Sequence, residues 1–395
     1  MASSVNDFYL KEPVGKLILK FAVPSITALL VSSLYNIVDQ IFIGNGVGYL
    51  GNAATNVVYP ITIIAQAIAL LIGDGCAAYL SICQGRKDSE NAQKSVGNAL
   101  TLMIISAAAV FLFFFLTRNS ILWLFGATEN NIGYTKDYFA YILLGMPFFM
   151  LGGALPCIIR ADGSPRFAMA ATLVGCVINV ILDPIAIFVL DMGVKGAAIA
   201  TALGQIVSAV MCVWYLFHAR SFRLTKSDLV LKASVLKKTL PLGISSFLTQ
   251  ISIMVNMTVM NNVLVKYGAM SRYGADIPLS VVGIVQKVFG IMIAVTVGIA
   301  AGSQPIVGYN YGAREQNDDD RRSNRWSGHN RSGRVLPAAA DTAFRRTGAA
   351  LQRVCCSCVP CVFQHQYSML CSEGYEHFHA GVGQACAVHG TFAAA

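Results

Sequence analysis

Apolar positions in this chain are gathered into long, nearly uninterrupted runs, such as Ala99–Leu116, Tyr138–Ile159 and Ala197–Phe217. A run of about 18 or more apolar residues matches the roughly 30 Å hydrocarbon layer of a bilayer at 1.5 Å rise per helical residue. The pattern predicts eight membrane spans, over residues 15–43, 52–84, 92–117, 131–160, 166–190, 196–219, 236–266 and 278–312. Several exceed the roughly 20 residues a crossing needs, which implies tilt or extension beyond the bilayer. The first run carries a proline and an aspartate, continues to about Ile43 and lacks a small-residue cleavage site. A retained span is therefore expected there rather than a signal peptide.

Composition agrees: 55% of residues are hydrophobic and 12% charged, against roughly 25% charged in an ordinary soluble domain. A water-soluble protein of this make-up would lack the polar surface to cover its core, so the expected fold class is an all-α integral membrane bundle. The net charge of +9 is the size expected of a nucleic-acid binder, yet its distribution reads as topology. With the amino terminus inside, the inner segments hold fifteen Lys and Arg, among them Lys16, Lys20, Arg86, Lys87, Arg160 and Arg166. The outer segments hold five: Arg118, Lys136, Lys195, Lys266 and Arg272. That bias places the amino terminus in the cytoplasm; the expected partner is the lipid bilayer, with no nucleic acid.

The spans fall into unequal groups. Residues 1–219 hold six, residues 220–235 form a basic linker predicted to lie on the cytoplasmic membrane surface, and residues 236–314 hold two more. The groups look related. Span two ends in Gln84-Gly85-Arg86 and span eight in Tyr311-Gly312-Ala313-Arg314, while Pro24 opens span one as Pro241 opens span seven. Both first members start on the same side, so the repeat is parallel, about an axis along the membrane normal.

Beyond Arg314 the chain changes character. Residues 315–395 contain no Lys but hold five of the six His and six of the eleven Cys, with no apolar run long enough to span. This irregular tail is expected to come from a departure from the true reading frame, which would leave the second repeat truncated. Cys358 and Cys361 have the spacing of a zinc-binding arm, with His365 and Cys371 behind them. The adjacent Cys355 and Cys356 and the missing second arm argue against zinc, and no metal site is expected.

The stretch Tyr35-Asn36-Ile37-Val38-Asp39-Gln40-Ile41-Phe42-Ile43-Gly44, then Gly51-Asn52-Ala53-Ala54, Gln84-Gly85-Arg86-Lys87, Arg160-Ala161-Asp162-Gly163, Asn179-Val180-Ile181-Leu182-Asp183-Pro184 and Gln304-Pro305 through Gly312, resembles in order and spacing the multidrug and toxic compound extrusion (MATE) family, most of all its Gram-positive drug exporters. The resemblance implies two six-helix lobes around a cavity that opens to each side in turn. It also implies export of bulky, often cationic xenobiotics in exchange for protons or sodium, by a monomer in the bacterial plasma membrane. On this reading the chain holds a complete amino-terminal lobe and the first two spans of the second. Neither an enzymatic activity nor a cofactor is expected, the coupling ion H+ or Na+ aside.

The residues make a compatible case. A charge inside a span costs about 2.5–3.5 kcal/mol on the lenient insertion scale, so Asp39 needs a cavity, a partner or a proton. Asn36 and Tyr35 lie three and four residues before it on one helical face. Asn179 and Asp183 are likewise four apart, and Pro184 removes the backbone donor to the Val180 carbonyl, opening the helix beside a carboxylate. The family places its coupling carboxylates at positions matching Asp39 and Asp183, and its first-span proline, here Pro24, bends as a carboxylate is protonated; Pro184 is a second candidate hinge. The plainer alternative has each aspartate capping a helix break and Pro24 as a passive kink.

Asp74, between Gly73 and Gly75, sits about 18 Å from the inner end of span two. With Lys287, Met146, Phe149 and Met257 it is a candidate for the substrate cavity, since methionine suits promiscuous packing; the same residues could equally fill helix interfaces. Repeat alignment pairs Asp74 with Ala301, which sets it at a different depth from Lys287. Two rival readings remain: a lipid-linked precursor flippase, which would favour an arginine-rich cavity, and a fragment that does not transport.

Overall fold

The computed structural model describes residues 14–219, 221–225, 227–270, 274 and 276–327. All belong to one unit reaching Arg346; a second, Thr347–Ala395, lies outside the described residues, as do Cys358, Cys361, His365, Cys371 and most of the predicted irregular tail.

The described residues fold into eight helices, each matching one predicted span: α1 Val14–Gly46, α2 Tyr49–Gly85, α3 Ser89–Leu124, α4 Ile132–Ala161, α5 Pro165–Pro184, α6 Gly193–Phe217, α7 Ala233–Ala269 and α8 Asp276–Ser327. All eight are long and apolar enough to cross a membrane. Connections are short; the Asp88 side chain, for example, accepts from Asn91 N at 3.1 Å and so caps α3. The end of the bundle holding Arg86, Arg160 and Arg166 is the basic end.

Two expectations are corrected. An irregular chain was expected from residue 315, but α8 continues to Ser327. Acidic residues there stand three and four positions before arginines, a spacing that supports a solvated helix. Nor does the linker simply rest on a membrane surface: it is bonded to α3. Asn98 Nδ2 donates to the carbonyls of Asp228 and Val230, each at 3.2 Å, and Asn98 Oδ1 accepts from Lys232 N at 2.6 Å. Thr101 Oγ1 adds a bond to Leu229 O at 2.8 Å. Asp228 itself closes a turn by accepting from Thr225 N at 3.0 Å. At the same end Asp162, 2% exposed, accepts from Tyr215 Oη at 2.6 Å and from Ser221, whose hydroxyl in turn receives Gln84 Nε2 at 3.0 Å.

The core lies within α1–α6, where Ile61, Leu80, Met103, Met146, Met150 and Ile159 are almost completely buried. The α7–α8 pair instead exposes Val255, Val259, Val263, Val281 and Val285. In a bilayer such faces meet equally apolar tails, so helix association depends on close packing and hydrogen bonds rather than on apolar burial.

That close packing follows the sequence repeat. A Cβ added to Gly85 would lie 2.1 Å from Tyr309 O, and one added to Gly312 would lie 2.1 Å from Ile82 O. Each glycine meets the residue three before its partner, so the ends of α2 and α8 interlock reciprocally. Two flanking seams obey the same rule. Gly75 and Gly243 on the α2–α7 seam approach Thr239 O and Leu71 O, at 2.5 and 2.0 Å from their virtual Cβ atoms. Gly302 and Gly298 on the α1–α8 seam approach Ala22 and Ile26 Cα at 2.6 and 2.7 Å. Aligning Gly85 on Gly312 and Pro24 on Pro241 carries one seam onto the other, as a parallel repeat requires. Pro24 is buried between the two α8 contacts.

Candidate functional site

Inside the six-helix lobe, α1 and α5 bring two carboxyl groups together. Asp183 is completely buried, Asp39 is 6% exposed, and the two are near enough to interact directly. Small residues explain the arrangement. Gly175 on α5 and Gly204 on α6 pack backbone to backbone, a Cβ on either falling within 2.8 Å of the other's carbonyl oxygen. This lets Thr201 reach α5, where Asn179 Nδ2 donates to Thr201 Oγ1 at 3.1 Å and to Asp183 Oδ1 at 3.2 Å. Asp183 Oδ2 and Asn179 Oδ1 remain buried acceptors without a donor. Tyr35 and Tyr138 stand within electrostatic reach of both aspartates.

Beside the pair the helix is widened, not opened. Where an unwound segment was expected after Pro184, the chain continues as a π-helical turn, Ile185–Val189, closed by Leu190 N to Ile185 O at 2.9 Å. The missing proline donor is absorbed by shifting the hydrogen-bond register, a local solution often found at functional sites. In chemical terms the pocket gathers two carboxyls, an amide oxygen and a hydroxyl away from water. Repulsion between the carboxylates would be relieved by a proton or a small cation held between them.

The other predicted site residues are dispersed. Asn36 turns its amide back along α1 onto Ser32 O at 2.7 Å, away from the shared face expected of it. Met146 is 1% exposed and belongs to the apolar core, in place of the cavity lining expected of it. Met257 is buried on α7, Phe149 packs half-buried against the core, and the Lys287 side chain lies outside the described residues. Asp74 sits at the α2–α7 seam, its Oδ2 accepting from Ser246 Oγ at 2.8 Å and its carbonyl accepting from Gln304 Nε2 at 3.2 Å.

Sequence reasoning missed Thr201 and Tyr138. A lone hydroxyl within the small-residue run Gly196-Ala197-Ala198-Ile199-Ala200-Thr201-Ala202 was a usable signal for the first. Nothing in the spacing of Tyr138 distinguished it from neighbouring aromatic residues.

Comparison with known proteins agrees with this architecture. The MatE family model matches residues 24–185 and 247–318. The chain is 29% identical over 255 residues to the multidrug export protein MepA of Staphylococcus aureus strain MRSA252, covering 62% of this chain and 54% of that protein. It is 27% identical over 309 residues to MepA of Staphylococcus saprophyticus, covering 77% and 66%. It thus spans between about half and two thirds of the curated relatives' length. The MATE multidrug transporter DinF-BH, solved as a drug complex, superposes with a TM-score of 0.72 at 32% identity, over 84% of this chain and 79% of that one. Eight membrane-length helices, the ordered motifs and a family match over more than half the residues place this chain in the MATE family.

Proposed function

We propose that the protein is a cation-coupled antiporter that exports drugs and other cationic xenobiotics across the bacterial plasma membrane, as a monomer with a cytoplasmic amino terminus. The observation that carries this reading is the buried Asp39–Asp183 pair with its unsatisfied oxygens, Asp183 Oδ2 and Asn179 Oδ1. Such a pocket is most favourable with a proton or Na+ bound. The related MepA proteins are named as multidrug exporters, and DinF-BH was solved as a drug complex.

Occupation of the pocket by the ion, followed by its release on the other side, would bias the lobe between two arrangements. Pro24, buried against α8, and the π-helical turn after Pro184 are the places where α1 and α5 can change shape. A membrane potential supplies about 2.3 kcal/mol per charge per 100 mV, enough for roughly a fifty-fold substrate gradient per cation. One cation per drug molecule would suffice.

The test is dye efflux from vesicles containing this chain, driven in separate arms by a proton gradient and by a sodium gradient. Efflux collapsed by the matching ionophore, and lost in Asp183→Asn, is the expected result and identifies the ion. No efflux in either arm from well-folded protein would overturn the exporter reading and favour a chain that does not transport alone.

A further inference from the structure

Asp74 breaks the symmetry of the seams. Its repeat counterpart on α8 is Ala301, and the counterpart of its partner Ser246 on α7 is Leu29 on α1. The α2–α7 seam therefore contains an acid and a hydroxyl where the α1–α8 seam has two apolar side chains. Around Asp74 the backbones are in close contact: a Cβ on Gly73 would lie 2.7 Å from Ala154 Cα and one on Gly75 would lie 2.5 Å from Thr239 O. The aspartate is thus held between α4 of its own lobe and α7 of the neighbouring pair.

We infer that Asp74 is a latch across this seam, a positioning residue that keeps the basic end of α2 against the α7–α8 pair. Three contacts support it. The carboxylate takes the Ser246 hydroxyl of α7 at 2.8 Å, and the Asp74 carbonyl takes the Gln304 amide of α8 at 3.2 Å, so one residue joins three helices. On the lobe side Cys157 lies against the carboxylate, and Arg160 reaches the Cys157 sulfur at 3.2 Å. That arginine places a counter-charge near an acid that would otherwise be costly inside a span. When the seam parts, the acid gives up its two partners on α7 and α8 and keeps those on α4. The apolar mirror seam has no comparable bond to break, so the polar seam is the one that resists separation. The latch is a property of helix packing and holds whether or not the chain exports drugs.

Cys83 reports the seam. It is 1% exposed on α2, nine residues beyond Asp74, within electrostatic reach of Lys238 on α7. The full chain would be placed in lipid nanodiscs, which expose both ends, and treated with a membrane-impermeant maleimide, with labelling followed by peptide mass. Cys212, fully buried within the lobe, serves as the folding control. Ser246→Ala and Asp74→Ala are expected to speed Cys83 labelling about five- to tenfold, the range for one lost hydrogen bond to a charged group. Asp74→Asn, which keeps an acceptor oxygen, should stay within about twofold of the parent. Leu29→Ala on the mirror seam should leave the rate unchanged. Unchanged labelling in both Ser246→Ala and Asp74→Ala would overturn the latch, as would Asp74→Asn labelling as fast as Asp74→Ala. If Asp74→Ala also exposes Cys212, the Ser246→Ala rate alone decides.

Discussion

The Asp39–Asp183 pocket and the Asp74 seam each place an acid inside a membrane span, and they are built from opposite materials. In the pocket a carboxyl faces another carboxyl, with buried acceptors on Asp183 and Asn179 left over. At the seam the carboxylate faces a hydroxyl, and its backbone carbonyl takes an amide. The first arrangement is incomplete without a positive charge; the second is complete as it stands. An intramembrane acid is therefore not diagnostic by itself: its neighbours decide whether it can exchange an ion or only hold helices together.

The sharpest way to break the comparison is to neutralise each acid. Asp183→Asn is expected to reduce ion-driven efflux to background, because it removes one of the two charges the ion would compensate, whereas Asp74→Asn should retain most of it. Vesicle efflux under an imposed gradient measures both, and equal losses would erase the distinction. The next effect concerns the helix ends. Gly85→Val and Gly312→Val each push a side chain into a backbone carbonyl, Tyr309 O and Ile82 O respectively. Each should cost about 1–3 kcal/mol by overpacking, seen as a lowered midpoint of thermal unfolding in detergent. Closely matched losses are expected from the reciprocal geometry, and a large disparity would refute it.

A smaller change should follow at the linker. Asn98→Ala removes three bonds to the linker backbone, to Asp228, Val230 and Lys232. Tryptic cleavage after Arg223 should quicken several-fold, since each such bond is worth about 1 kcal/mol, and unchanged cleavage would show that the linker is held elsewhere. The smallest effect is expected at Thr201→Val, which keeps the shape of the pocket but removes the hydroxyl that orients Asn179. Coupling-ion affinity, read from the concentration dependence of efflux, should weaken by about fivefold, equivalent to roughly 1 kcal/mol.

Much of this was legible in the chain. The spans follow from run length, and the repeat from Pro24, Pro241, Gly85 and Gly312, because bilayer thickness and close helix contact constrain residue type directly. Asp39 and Asp183 stood out because a charge in an apolar run needs a reason. Their mutual approach did not, since it depends on α1 and α5 being neighbours, which no local pattern states. Asn36 misled for a related reason: its spacing from Asp39 put it on a plausible face, but a short polar side chain can satisfy itself on its own helix, here at Ser32 O. Met146 was ambiguous from the outset, because the flexibility that suits a drug cavity equally suits a core.

By itself, then, the sequence determined a membrane bundle of eight spans, its unequal division and its family, all consequences of hydrophobic length and of motifs read in order. Tertiary structure alone decided which acids meet, that Pro184 widens the helix instead of opening it, and that Asp74 bonds across one seam while its mirror stays apolar. The physical reason is range. Hydropathy and glycine spacing act within one helix, whereas hydrogen bonds and charge pairing act over about 3 Å between residues as far apart in sequence as Asp74 and Gln304.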